Sequence, residues 1–174
     1  MFSNSTNPSR KKVAEKQEQQ SQEEEREERL KWLKRVGGEA MERKYFKLAC
    51  DLYEEALSID PMDAFLWSNH SAALLSSGDV DGSLKSATRS VEIDPQFVLG
   101  YTRLVKSLIT RGDRPHAIKI LEDAMIKCAH PQGQASDEGG DVTGLKVMIC
   151  DLLVDEAEEI LCEKKTKGIK EAHA

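Results

Sequence analysis

Aromatic residues and cysteine pairs are scarce in this chain of 174 residues. Aromatics make up only 5% of the sequence, which argues against a large aromatic-rich enzyme core. The four cysteines, Cys50, Cys128, Cys150 and Cys162, lie far apart and form no C-x₂-C pair. The sequence therefore predicts reduced, packed thiols rather than a zinc or redox centre.

Long apolar runs are missing too. The opening MFSNSTNPSRKKVAEKQ has no apolar stretch after its charges, and no run is long enough to span a bilayer. We therefore expect a soluble, cytoplasmic protein. The formal net charge of −6, from 31 acidic and 25 basic residues, argues against a nucleic-acid binder in general, although it leaves room for a local basic patch.

Sequence motifs for catalysis or metal binding are also absent. There is no nucleophile motif, no Gly-rich phosphate loop and no strand pattern. His70 is expected to pack between helices, His116 and His130 fall at predicted helix ends, and His173 lies near the last residue. Because no histidine has a partner at metal-ligand spacing, we expect no metal site. Because the catalytic and phosphate-binding motifs are missing, we also expect no cofactor and no enzymatic activity.

The composition changes near residue 30. Residues 1–20 are polar and lack periodic apolar positions, which predicts disorder. Ser21 and Glu24 have the spacing of a capping box, so a charged helical extension is predicted over 21–29. We interpret its charges as a solvated helix face, with an acidic recognition tail as the alternative.

A repeat of 34 residues organises the centre of the chain. SIDP at 58–61 recurs as EIDP at 92–95, and Gly78-Asp79 recurs as Gly112-Asp113. The offset divides residues 30–131 into three units, 30–63, 64–97 and 98–131. Each unit is predicted to contain two helices, with the Gly-Asp pair forming the turn and the N-cap of the second helix.

Small residues recur at two further positions of every unit. A small side chain lets neighbouring helices approach closely, whereas a larger one would push them apart. These positions are Ala49, Ser83 and Ala117, and then Ala56, Ser90 and Ala124.

The pattern resembles the tetratricopeptide repeat over residues 30–131. It is carried by Trp67, Gly78 and Pro95 in the second unit, and by Gly37, Ala49, Tyr53, Ala56 and Pro61 in the first. The resemblance implies an all-α fold, an α-solenoid of three tetratricopeptide helix pairs, and a role in protein–protein interaction.

The sequence after the repeats predicts a C-terminal capping helix. Residues 132–141 are polar and Gly-rich, which is typical of a flexible loop. Residues 142–166 have one apolar stripe with a charged opposite face, as a helix that covers the last repeat requires. A dimerisation helix is the alternative, and residues 167–174 are interpreted as a tail.

Helical phase assigns the faces of the second unit. One stripe is predicted to pack against the partner helix and contains Trp67, His70, Ser71 and Leu74. The other would line the concave groove of a tetratricopeptide array; it contains Phe65, Ser68 or Asn69, Ala72 and Ser76. The equivalent groove stripes are Leu99, Arg103, Lys106 and Thr110 in the third unit, and Lys31, Lys34, Gly38 and Met41 in the first.

Cations and an amide on one surface of an acidic protein would attract a carboxylate. The combination resembles the carboxylate-clamp branch of the family, co-chaperones that hold the acidic C-terminal tails of the seventy- and ninety-kilodalton heat-shock chaperones. Lys34, Asn69 and Arg103 match three of its five positions. Gly38 stands where the branch has an asparagine, and Leu99 where it has a lysine.

Two functions follow as hypotheses. In the first, the protein is an adaptor that binds the acidic C-terminal peptide of a chaperone, with Lys106 as a candidate replacement for the missing cation. The predicted peptide-binding residues are Lys34, Asn69, Arg103, Lys106, Gly38, Leu99, Phe65 and Ala72. In the second, it is a structural adaptor that uses its convex face or its terminal helices. The departures from the clamp pattern are compatible with a weakened clamp, a clamp retuned to another tail, or a remnant.

Overall fold

The computed structural model describes the backbone of residues 8–128 and the side chains of residues 15–128. Within this range the chain forms six α-helices and no strand: α1 (Pro8–Glu42), α2 (Phe46–Ile59), α3 (Ala64–Ser77), α4 (Val80–Ile93), α5 (Val98–Arg111) and α6 (Arg114–Cys128). No helix in this part of the chain is long and apolar enough to cross a membrane. The predicted loop over 132–141, the capping helix over 142–166 and the tail over 167–174 lie outside the described residues.

The helices belong to two compact units. The first ends at Pro61 and contains α1 and α2; the second starts at Met62 and contains α3 to α6. The helices α2, α4 and α6 begin at Phe46, Val80 and Arg114, at intervals of 34 residues. The spacing of the sequence repeat is therefore the spacing of the helix pairs.

Helix α1 begins earlier than the sequence predicts. Residues 8–20 were expected to be disordered, but they are helical, and Ser21 lies inside α1 rather than capping it. The expectation was wrong because a polar stretch rich in Gln, Glu and Lys has high helix propensity, so low hydrophobicity alone did not separate a solvated helix from a disordered chain. The side chains of residues 15–28 are all exposed.

The first unit is held together where α1 and α2 approach closely. Leu33, Ala49 and Ala56 are completely buried. Gly37 lies against the ring of Tyr53, such that a Cβ on Gly37 would be 2.7 Å from Cε1 of that ring. Arg29 also reaches across to α2, where its Nε donates a hydrogen bond of 2.9 Å to Glu55. The glycine is therefore needed for contact between the helices, and α1 continues through it without a break.

The core of the second unit lies between α4, α5 and α6. Its buried members are Leu84, Ala87, Val98, Tyr101, Leu104, Val105, Leu108, Ala117, Leu121 and Ala124. The recurring small residues are completely buried in both units, as the close-approach interpretation requires. On α3 the buried residues are Leu66, Ser68, Ser71 and Ala73. Of the stripe predicted to pack on the partner helix, only Ser71 is fully buried, while Trp67, His70 and Leu74 are half-buried.

A chain of buried hydroxyls links α3, α4 and α5. Ser83 Oγ lies 2.9 Å from Ser71 Oγ and 2.6 Å from Ser107 Oγ. Ser107 Oγ in turn donates to the carbonyl oxygen of Arg103 at 2.9 Å. Ser83 Oγ also lies 2.9 Å from the carbonyl oxygen of Ser71, so its one proton can be donated to that carbonyl or to Ser107 Oγ. Each of the three hydroxyls in this chain has a partner, and the small side chains keep the helices close.

The turn between α3 and α4 has the predicted chemistry. Gly78 ends α3 with a φ of 94°, a left-handed conformation that glycine adopts without a steric penalty. Asp79 then caps α4, because its carboxylate accepts a hydrogen bond of 2.9 Å from the backbone N–H of Gly82. Gly112 ends α5 in the same conformation, with a φ of 84°.

Adjacent glycines of α1 provide a matched test of this packing. We expect Gly37→Ala to lower the free energy of unfolding by about 1–2 kcal/mol, because the new methyl group clashes with the buried Tyr53 ring. Gly38→Ala should raise it by about 0.5–1 kcal/mol, since alanine is the better helix former and nothing lies within 4 Å of a Cβ there. Urea unfolding followed by circular dichroism measures both. Equal effects of the two substitutions would contradict the close approach.

Two buried serines test the hydroxyl chain. Ser83→Ala removes the central hydroxyl and should lower the free energy of unfolding by about 1–2 kcal/mol. Ser68 is the control: it is completely buried, but its Oγ has no hydrogen-bond partner in the described part of the chain. Ser68→Ala should therefore leave the free energy unchanged or raise it. A loss as large as that of Ser83→Ala would contradict the assignment.

Candidate functional site

The accessible stripe of α3 follows the predicted groove phase. Phe65 is 38% exposed, Ser76 is exposed, and Asn69 and Ala72 are half-buried. Ser68, the alternative to Asn69 in this stripe, is completely buried. Of the two, Asn69 is therefore the residue that solvent can reach, and its place in a binding site stays a prediction.

The equivalent stripe of α5 is accessible as well. Leu99 and Arg103 are half-buried, and Lys106 and Thr110 are exposed. Since α3 packs directly against α5, the two stripes lie on neighbouring helices of one unit. We call this surface the α3–α5 face and define it by Phe65, Asn69, Ala72, Leu99, Arg103 and Lys106.

The chemistry of the α3–α5 face changes along the helices. Its first turn is apolar, with Phe65 on α3 and Leu99 on α5. Phe65 is held in place by an edge-to-face contact with Phe97, with ring centroids 6.4 Å apart. One turn further along, Asn69 and Arg103 stand at the equivalent polar positions. The face can therefore offer hydrogen-bond donors beside an apolar surface.

Helix α5 is fixed by contacts at its start. A Cβ on Gly100 would be 2.8 Å from Ser90 Oγ and 2.9 Å from a methyl of Val91, so glycine allows α5 to lie close to α4. The hydroxyl of Tyr101 donates a hydrogen bond of 3.1 Å to the carbonyl oxygen of Pro95. Burial raises the pKa of Tyr101, which keeps this phenol a donor. Leu99 and Arg103 are thus carried on a well-anchored helix.

Two of the predicted residues belong to the other unit. Lys34 and Gly38 lie on α1 and are half-buried, in the phase that the sequence predicts. Their participation in a common site with the α3–α5 face stays a prediction. Lys31, in the same stripe, is exposed and forms an ion pair of 3.9 Å with Glu27.

The histidines of the described range have structural partners. His70 Nδ1 lies 3.2 Å from Ser86 Oγ of α4, which confirms that His70 packs between helices. His116 Nδ1 lies 2.9 Å from the Asp113 carboxylate, and this hydrogen bond holds the pKa of Asp113 below its usual value. No group of three or more His, Cys, Asp or Glu side chains suited to a metal occurs among residues 15–128.

One cavity was not predicted from the sequence. It has a volume of about 570 Å³ and is lined by α4, α5 and α6, including Leu84, Tyr101, Leu104 and Ile120. Its α5 residues lie on the side of that helix opposite the α3–α5 face, by helical periodicity. No local sequence pattern indicates it, because an opening of this kind depends on the spacing between packed helices.

Comparisons with known proteins point to one class. No protein-family model matches the chain. It is similar to the small glutamine-rich tetratricopeptide repeat-containing protein 2 of Saccharomyces cerevisiae, with 32% identity over 93 residues, which cover 53% of this chain and 27% of that protein. It is also similar to the heat-shock protein cognate co-chaperone sgt12 of Aspergillus fumigatus, with 30% identity over 115 residues, 66% of this chain and 34% of that one. The chain thus spans about a third or less of these curated relatives.

Solved structures agree with these relatives. The tetratricopeptide domain of Sgt2 from Aspergillus fumigatus matches with a TM-score of 0.61 and 26% identity, over 75% of this chain and 82% of that domain. The TPR2B domain of yeast Sti1, solved in complex with pHsp70, matches with a TM-score of 0.63 and 21% identity, over 73% of this chain and 98% of that domain. The second match carries information about the fold alone.

The fold defines a class of protein. The described helices have the tetratricopeptide-repeat fold, and the predicted all-α class of helix pairs is confirmed. The predicted resemblance to tetratricopeptide-repeat co-chaperones is confirmed by the relatives in sequence and structure.

Proposed function

We propose that this protein is a co-chaperone-like adaptor whose α3–α5 face binds the free C-terminal carboxylate of an acidic partner peptide. The observation that carries the proposal is the pair Asn69 and Arg103. These residues occupy equivalent, accessible positions on two helices that pack against each other. Both can donate hydrogen bonds to a carboxylate.

The half-burial of this pair favours carboxylate binding. The Arg103 guanidinium can donate two parallel hydrogen bonds to a carboxylate, and the Asn69 amide can donate a third. Because both side chains are half-buried, water screens their interaction with a ligand less than it would at a fully exposed site. Lys106 is exposed one turn beyond Arg103 and adds a cation to the same face.

The partner that we propose is the acidic C-terminal tail of a heat-shock chaperone. Among the similar proteins, sgt12 is named as a heat-shock protein cognate co-chaperone, and the tetratricopeptide domain of Sgt2 comes from the same organism, Aspergillus fumigatus. These names support a tail of that kind for this chain as well. On the same grounds we propose that the protein acts without catalysis and works in the cytoplasm.

A scaffold role is the second candidate. The first unit exposes several large apolar side chains: Trp32 is 50% exposed, Tyr45 60% and Leu48 48%. Apolar surface of this kind is a common feature of protein interaction sites. Gly38 and Leu99 also depart from the clamp pattern. In this role the protein would join larger partners through surfaces other than the α3–α5 face.

A peptide titration distinguishes the two roles. A fluorescent peptide that ends in Glu-Glu-Val-Asp is titrated by anisotropy with a free and with an amidated C-terminus. We expect the free acid to bind at least about tenfold more tightly, since amidation removes the carboxylate that accepts the donors. Arg103→Ala should lower the affinity for the free acid by about tenfold or more and abolish the difference between the peptides.

Arg89→Ala is the control for this experiment. It also removes one arginine, but Arg89 lies on α4 and forms an ion pair of 3.1 Å with Glu92. The affinity of the Arg89→Ala variant for the free-acid peptide should stay within about twofold of the wild type, because Arg89 is not part of the α3–α5 face and its exposed charge is screened by salt. Equal binding of the free and amidated peptides to the wild-type protein, or no binding of either, would contradict the carboxylate proposal.

Charge reversal on α1 tests the contribution of the first unit. Lys34→Glu should weaken free-acid binding by about tenfold or more, because it replaces a cation by an anion that repels the ligand. Lys47→Glu, an exposed position on α2, makes the same change of charge and should have an effect of less than about threefold, since solvent screens it. If the two variants bind equally well, Lys34 has no place in the site.

A further inference from the structure

Leu99 makes part of the α3–α5 face apolar, whereas a site for purely acidic ligands would have a cation at this position. It lies one helical turn before Arg103 on α5, at a position where the resembling clamp has a lysine. Phe65 occupies the equivalent position on α3. The first turn of the α3–α5 face therefore offers two apolar side chains and no cation.

The reach of a peptide's last residue fits this arrangement. Side chains one turn apart on a helix have Cβ atoms roughly 5–6 Å apart. A terminal carboxylate on Arg103 and Asn69 is attached to the Cα of the last residue, so the side chain of that residue is the one that can span this distance. Depending on the orientation of the peptide, the side chain of its last residue contacts either Leu99 and Phe65 or the polar side chains beyond Arg103.

The energetics favour an apolar last side chain on the first of these surfaces. An acidic side chain next to Leu99 and Phe65 would lose water without gaining a donor or a cation, which is unfavourable. A leucine-sized side chain would instead bury apolar area, with a gain of about 25 cal/mol per Å². Phe65 is 38% exposed and is braced by Phe97 at 6.4 Å, so it presents a fixed apolar surface.

We propose that the α3–α5 face selects C-terminal peptides whose last side chain is apolar, with acidic residues further upstream. This inference rests on the proposed binding of a free carboxylate and narrows its ligand: a chaperone tail that ends in Asp still binds through its carboxylate, but less tightly than an acidic tail whose last residue is apolar. Arg103 and Asn69 bind the carboxylate, Leu99 and Phe65 contact the last side chain, and Lys106 remains for an upstream acidic residue. Leu99 is then the residue that determines specificity at the last position.

Three free-acid peptides test the selection. They share the sequence Glu-Glu-Val before a last residue of Asp, Asn or Leu, and each has an amidated counterpart. The peptide ending in Leu should bind the wild-type protein about five- to tenfold more tightly than the one ending in Asp. The peptide ending in Asn separates loss of charge from gain of apolar contact and should fall between the two.

Substitution at residue 99 should move this preference. Leu99→Lys restores the cation and should reverse the order, so that the peptide ending in Asp binds more tightly than the one ending in Leu. Leu99→Ala removes the apolar contact without adding charge, and should bring these two peptides within about twofold of each other. Circular dichroism and thermal unfolding of each variant show whether the helices are retained, and Leu99→Ala provides the test if the lysine variant does not fold.

The outcomes separate this inference from the proposed function. If free acids bind better than amides but the wild-type protein prefers Asp, or if Leu99→Lys and Leu99→Ala both leave the order unchanged, the apolar selection is wrong and carboxylate binding stands. If amidation has no effect on any peptide, or no free acid binds, both proposals fail.

Discussion

The close approach of neighbouring helices through small side chains is the constraint on which the rest of the structure depends. Ala49, Ser83 and Ala117 recur at intervals of 34 residues and are completely buried. Gly37 and Gly100 add contacts that a Cβ would prevent. Because α3 and α5 share this spacing, Asn69 and Arg103 occupy equivalent positions on adjacent helices. Larger side chains at the contacts would destabilise the fold and disturb this pairing.

Polar groups at these contacts tie the core to the candidate site. Ser83 bridges to Ser71 and Ser107, and Ser107 donates to the carbonyl oxygen of Arg103. A serine is about as small as an alanine and can also hydrogen-bond, so it allows close packing and fixes the helix turn that carries Arg103. The backbone beneath the proposed carboxylate site is therefore held by buried hydrogen bonds, which favours a pre-organised site.

Much of this arrangement could be predicted from the sequence. The 34-residue repeat located the helix pairs, and the Gly78-Asp79 turn followed from its chemistry. The start of α1 could not be located, because a polar helix has no apolar period. The choice between Ser68 and Asn69 also needed the structure, since both are small polar residues one position apart. The edge-to-face contact of Phe65 with Phe97 depends on side-chain directions that periodicity does not give.

The central claim is that Asn69 and Arg103 together receive a terminal carboxylate. The most direct measurement is an NMR titration that follows the side-chain amide of Asn69 and the Nη–H groups of Arg103 as acidic peptide is added, because the Nε of Arg103 is buried. Both signals should shift with the free-acid peptide and stay in place with the amidated one. If the free acid leaves both signals unmoved while other residues of the chain respond, the peptide binds elsewhere and the account is contradicted.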